Sequence, residues 1–102
     1  MKLTKSKIIE IANLRQKGRQ WSDIAKEVGV NRTTMWRWMR AGEKATSGMR
    51  YVFFRAIRSA ERISFYGRLH DIRMRDMTDK RGIRRTKVTL IWKSRRSPFG
   101  WF

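Results

Sequence analysis

Residues 22–40, SDIAKEVGVNRTTMWRWMR, constrain the fold more than any other part of the chain. They read as a helix, a tight Gly-Val-Asn turn and a second helix. Gly29 supplies the left-handed position at which the first helix stops. Asn31 can accept a hydrogen bond from an early N–H of the second helix, and Val30 before it can pack on Met35 as a staple.

Within the second helix the side chains sort by spacing. Met35, Trp38 and Met39 fall at i, i+3 and i+4 and form an inward, apolar face. Thr33, Trp36, Arg37 and Arg40 fall on another face, with Arg32 beside them and the capping Asn31 at the start. Short polar groups reach phosphates and base edges, Arg can grip guanine bidentately, and a helix N-terminus attracts phosphate. A solvated surface or a protein contact is the alternative use of such a face. The agreement of turn, caps and charge favours double-stranded DNA.

The charge points the same way. Lys and Arg number 26 against 8 acids, a net +18 in 102 residues, which calls for a polyanionic partner. Residues 1–46 hold 11 bases and 4 acids, residues 47–79 hold 7 and 4, and residues 80–102 hold 8 and none. The C-terminal stretch is therefore a second basic block. With no Cys and a single His, His70, read as a helix-surface side chain, no metal or other cofactor is expected. No apolar run reaches the length of a membrane span and no signal-peptide pattern opens the chain, so an intracellular, soluble protein is expected.

A helix is predicted from about Lys5 to Lys17, capped by Thr4 and ended by Gly18, with Leu3 and Ile8 as a staple. The next starts near Ser22. Ile8, Ile11, Leu14, Ile24, Val28, Val30, Met35 and Trp38 form one shared core, the smallest usual helix-turn-helix domain (residues 1–42). The small, polar stretch 41–48 reads as a linker, its core being residues 43–48. Residues 49–79 read as one long helix, a rod of roughly 45 Å. Phe53, Ala56, Ile57, Ala60 and Ile63 share one face of it, and Phe54, Phe65, Leu69 and Ile72 another. Either it breaks near Gly67 and folds back, or neighbouring subunits bury it; self-association into a homo-oligomer is favoured. KRGIRR (80–85) is a basic turn. TKVTLIWK (86–93) has the composition of a strand without firm turn signals, and Pro98 and Gly100 exclude a regular helix beyond Ser97. The expected fold is all-α: the trihelical domain, a long oligomerisation helix, and a short basic segment (80–102) in helix or strand.

Three stretches together resemble the small terminase subunits of tailed viruses: the unit containing IAKEVGVNRTTMWRWM, the segment FFRAIRSAERISFYGRLHDI, and the tail TLIWKSRRSPFGWF. In that tail Trp92, Arg96, Pro98 and Trp101 occupy the family's aromatic, basic, proline and tryptophan places. The resemblance implies a non-enzymatic subunit that assembles into a ring through its middle helices, selects viral DNA in the host cytoplasm, and recruits or regulates a large terminase. It assigns DNA reading to Arg32, Thr33, Thr34, Trp36 and Arg37, assembly to Phe53, Phe54, Ile57, Ile63, Leu69 and Ile72, and a helical tail up to about Ser97. The middle segment departs from the family in carrying seven Arg and four acids where Glu is usual.

Nothing in the sequence supports an enzyme. There is no phosphate loop ending in Gly-Lys-Ser/Thr. Asp71, Asp76 and Asp79 fall at helical intervals among arginines and read as surface ion pairs rather than as a two-metal site. The competing functions are a helix-turn-helix regulator, or the DNA-binding piece of a recombinase, acting as a dimer, and an RNA-binding protein for which charge is the main argument. Lys80, Arg81, Arg84, Arg85, Lys87, Arg95 and Arg96 suit either phosphates or an acidic protein; Trp101 and Phe102 suit an anchor on the chain's own core or on a partner, the core being favoured.

Overall fold

The computed structural model describes residues 2–63 and 67–94. Four helices, α1 (Lys5–Gln16), α2 (Trp21–Val28), α3 (Arg32–Lys44) and α4 (Met49–Arg62), precede two strands, β1 (Gly67–Thr78) and β2 (Arg84–Ser94). The local signals at the N-terminal end act as their chemistry requires. Thr4 Oγ1 accepts from the Lys7 N–H at 3.2 Å and caps α1. α2 ends on Gly29, whose φ of 72° is left-handed and whose N–H donates to the Ala25 carbonyl. Asn31 Oδ1 accepts from the Thr33 N–H at 2.8 Å and starts α3.

Ile8, Ile11, Ala12, Leu14, Ile24, Val28, Val30, Met35 and Trp38 are buried together, as the spacing predicts for a trihelical unit. The core does not stop there. Val52, Phe53, Ala56, Ile57 and Ala60 of α4 and Leu69 and Ile72 of β1 belong to the same cluster. Trp38 meets Phe53 edge to face, with ring centroids 5.6 Å apart and planes at 76°. α3 runs on to Lys44, so the stretch expected as a linker begins inside a helix and only residues 45–48 connect α3 to α4. Gly42 is where the two helices approach, since a Cβ there would meet the Arg50 carbonyl and the Phe54 Cβ.

The all-α expectation is wrong: the fold is mixed α and β. The predicted 49–79 helix ends at Arg62, Ile63 takes an extended conformation, and β1 pairs antiparallel with β2. The register runs from Gly67 opposite Ser94 to Thr78 opposite Arg84, with a bulge between Leu69 and Asp71. Val88, Leu90 and Trp92 alternate along β2 onto the face that packs on the core, and Trp92 Nε1–H donates to Ser59 Oγ at 3.2 Å. Much of the two apolar faces that called for a second subunit is thus covered within the chain, with Phe54 and Ile63 left half-buried. Phe53, Ala56 and Ile57 face α3 and α1 from α4, while Leu69 and Ile72 reach the same core from β1. The helical tail implied by the resemblance is also overturned, because Arg84–Ser94 is a strand. His70 and the three aspartates likewise sit on or at the end of a strand, not on a helix. Phe65, Arg95, Arg96, Ser97, Pro98, Gly100, Trp101 and Phe102 lie outside the described residues.

The turn that the basic run forms is built by Asp79. Its Oδ1 accepts from the Arg81 and Ile83 N–H groups, both at 2.9 Å, while the Gly82 N–H donates to its carbonyl. Gly82 has φ 81°, the left-handed residue that closes a type I hairpin turn. Asp79 Oδ2 also accepts from the Arg85 Nε–H at 2.9 Å, and that bond, followed by the Ile83 N–H, holds the Asp79 carboxyl below its usual range. Lys5, 2.7 Å from Asp71 Oδ1, does the same for Asp71, helped by the Ile72 N–H. A carboxylate with a lowered folded-state pKa adds stability that is complete above its unfolded pKa and is lost as pH falls through the lower folded value. The urea midpoint is therefore expected to decline once pH drops below the ordinary aspartate pKa of about 3.9. Asp79→Asn should show a shallower decline, and an equal decline in the two proteins would count against the turn carboxylate.

Candidate nucleic-acid interface

α3 is fixed on one side and open on the other. Met35 is 1% exposed and Trp38 5% exposed, both sealed against the rest of the core, whereas Trp36 is 60% exposed. Of the residues nominated by sequence, Asn31, Arg32, Thr33, Trp36, Arg37 and Arg40 are exposed and Thr34 is half-buried. Asn31 spends its carbonyl oxygen on the cap, so its part in the site is to hold the first turn of α3 in place. The Arg40 guanidinium lies 5.3 Å from the Trp36 ring centroid, which steadies both side chains along the outer surface.

Arg32, Thr33 and Trp36 also line a cleft of about 560 Å³ whose other walls are Trp21, Met35, Met39, Arg58 and Glu61. Arg58 comes from α4, so the cationic surface extends beyond α3. Glu61 does not neutralise it freely: its oxygens lie 3.1 Å from Arg15 Nε and 3.6 Å from Arg58 Nη1. Arg15 in turn lies over Trp21, 5.1 Å from the ring centroid. On the opposite side of the turn a shallow concavity runs between Ser22, Lys26, Gly29, Asn31 and Arg32. Lys26 and Arg58 were missed by sequence reasoning. Lys26 could have been found as an exposed position just ahead of the turn; Arg58 needed the α3–α4 packing.

The aspartates of the hairpin all have structural partners. Asp71 pairs with Lys5, Asp79 holds the turn, and Asp76 accepts from Thr86 Oγ1 at 2.6 Å. Among the described residues no three His, Cys, Asp or Glu side chains gather as a metal site, and no helix is long and apolar enough to cross a membrane. No family model, curated protein or solved structure matches the chain.

Proposed function

We propose that the chain binds duplex DNA, with α3 as the element that enters the major groove. One observation carries the reading. α3 is capped at its start and sealed along Met35 and Trp38, yet it turns Arg32, Thr33, Trp36, Arg37 and Arg40 to solvent. A rigid helix with short polar groups and arginines outward has the dimensions and donors for base edges and flanking phosphates. The net charge of +18 supplies the sequence-independent attraction that such binding needs.

The packaging role implied by the resemblance is proposed with it: a DNA-selecting, non-enzymatic subunit acting beside a large terminase. Phe53, Ile57, Leu69 and Ile72 are used in the chain's own core, so a ring would have to close through other surfaces. Fluorescence anisotropy with a labelled duplex tests the binding. Arg32→Ala combined with Arg37→Ala is expected to lower affinity roughly 30-fold, about 1 kcal/mol for each arginine removed. Unchanged affinity in a variant with the wild-type melting temperature would sink the reading.

A further inference from the structure

The solvent face of the β1–β2 hairpin has no role in the reading above. Alternation along the strands, together with the register, places Arg68, Arg73, Arg75 and Met77 of β1 on one face with Arg85, Lys87, Thr89 and Lys93 of β2. All of these side chains are exposed. Ile91 shares that face, half-buried opposite Asp71, the partner of Lys5. The other face carries Leu69, Ile72, Val88, Leu90 and Trp92 and packs on the core. Beyond Ile72 every residue of β1 is exposed. The distal half of the hairpin is held to the α3–α4 connection through β2, where the Thr86 N–H donates to the Thr46 carbonyl and Thr86 Oγ1 accepts from the Gly48 N–H, so its open face is left to solvent.

The arrangement on the open face is electrostatically unfavourable for the chain alone. Arg75 lies directly opposite Lys87, and Arg68 directly opposite Lys93. Like charges facing each other across an antiparallel pair destabilise it. Arg85 has Asp79, but Arg68, Arg73, Arg75, Lys87 and Lys93 form no ion pair among the described residues. Met77 and Ile91 stand apart on this face and make no aromatic or aliphatic cluster of the kind that anchors a protein partner. Dense cations without an apolar centre match a polyanion whose charges are regularly spaced.

We propose that this face is a second nucleic-acid contact, a cationic ribbon that grips the sugar-phosphate backbone of duplex DNA without reading its sequence. The proposal rests on the reading of the chain as a duplex-DNA binder and adds a surface that α3 does not supply. Phosphate neutralisation by the ribbon releases counterions, so it is visible in the salt dependence of binding. It also relieves the repulsion between Arg75 and Lys87, which explains how an unfavourable pairing is tolerated.

The full chain is titrated with a random-sequence duplex over a range of salt concentrations, beside two variants. In Arg73→Gln/Arg75→Gln/Lys87→Gln the log–log salt slope is expected to flatten by about 2.7, at about 0.9 for each phosphate no longer neutralised. Its melting temperature should be equal to or above that of the wild type, because repulsion is removed. Arg75→Glu, which sets a carboxylate opposite Lys87, should raise the melting temperature while weakening binding. A triple variant with an unchanged slope, when Arg32→Ala/Arg37→Ala still weakens binding, would overturn the ribbon and leave its charge to an acidic protein. A wild-type chain that does not bind duplex DNA would overturn the reading on which the ribbon depends.

Discussion

Phe53→Ala is expected to remove about 3–5 kcal/mol of stability, the range for emptying an aromatic site in a packed core. Phe53 is fully buried and touches the inner side of α3 through Trp38, whose ring meets it edge to face. The alanine leaves a void at the joint where the helix-turn-helix unit rests on α4. Relaxation into that void is restricted, because Gly42 already lets α3 approach the Arg50 backbone of α4 as closely as it can. Domains of this size carry roughly 5–15 kcal/mol in total, so a large share disappears. A urea titration followed by tryptophan fluorescence measures it. A loss below about 1 kcal/mol, the scale of an exposed-site change, would mean that the joint is not packed as described. DNA binding should fall only in proportion to the unfolded fraction, because Phe53 lies behind α3 and not on its outer face.

That joint also explains what could be read from the sequence. The N-terminal unit was legible because several independent signals coincide there: Thr4 and Asn31 as caps, Gly29 as a stop, and a 3.6-residue repeat through Ile8, Ile11, Leu14 and Ile24. The exposed face of α3 was legible for the same reason, since the inward positions Met35 and Trp38 fix where Arg37 and Arg40 must point. Past Gly67 the local signals conflict. Leu69 and Ile72 stand three apart, as on a helix, and Arg and Met are good helix formers. Yet Ile72, Arg73, Met74 and Arg75 also alternate with a period of two, and Asp79 with Gly82 marks a four-residue turn. What decides between the periods is non-local. Leu69 and Ile72 find their partners, Trp92 and Leu90, only far along the chain, in a segment that brings its own apolar face. The resemblance to the middle helices of small terminases likewise implies a helix there, and the pairing of β1 with β2 overrides it.

Asn13→Ala is expected to cost about 3–4 kcal/mol, far above the value for a polar residue on a helix surface, because two backbone groups are stranded at about 1–3 kcal/mol each. The Asn13 side chain spans the gap between α1 and β1. Asn13 Nδ2–H donates to the Leu69 carbonyl at 3.1 Å, and Asn13 Oδ1 accepts from the Leu69 N–H at 2.7 Å. Leu69 adjoins the bulge, where the ladder between the strands is interrupted. The amide therefore satisfies both the N–H and the carbonyl of Leu69, and alanine leaves a donor and an acceptor unsatisfied in a partly buried place. Asn13→Asp tests the geometry more sharply, since it keeps the acceptor for the Leu69 N–H but turns a carboxylate oxygen toward the Leu69 carbonyl. Hydrogen exchange of the β1 amides should accelerate in both variants more than exchange of the α2 and α3 amides, because the hairpin is the part released. Equal acceleration throughout the chain would show that Asn13 supports the fold as a whole and not the attachment of the ribbon.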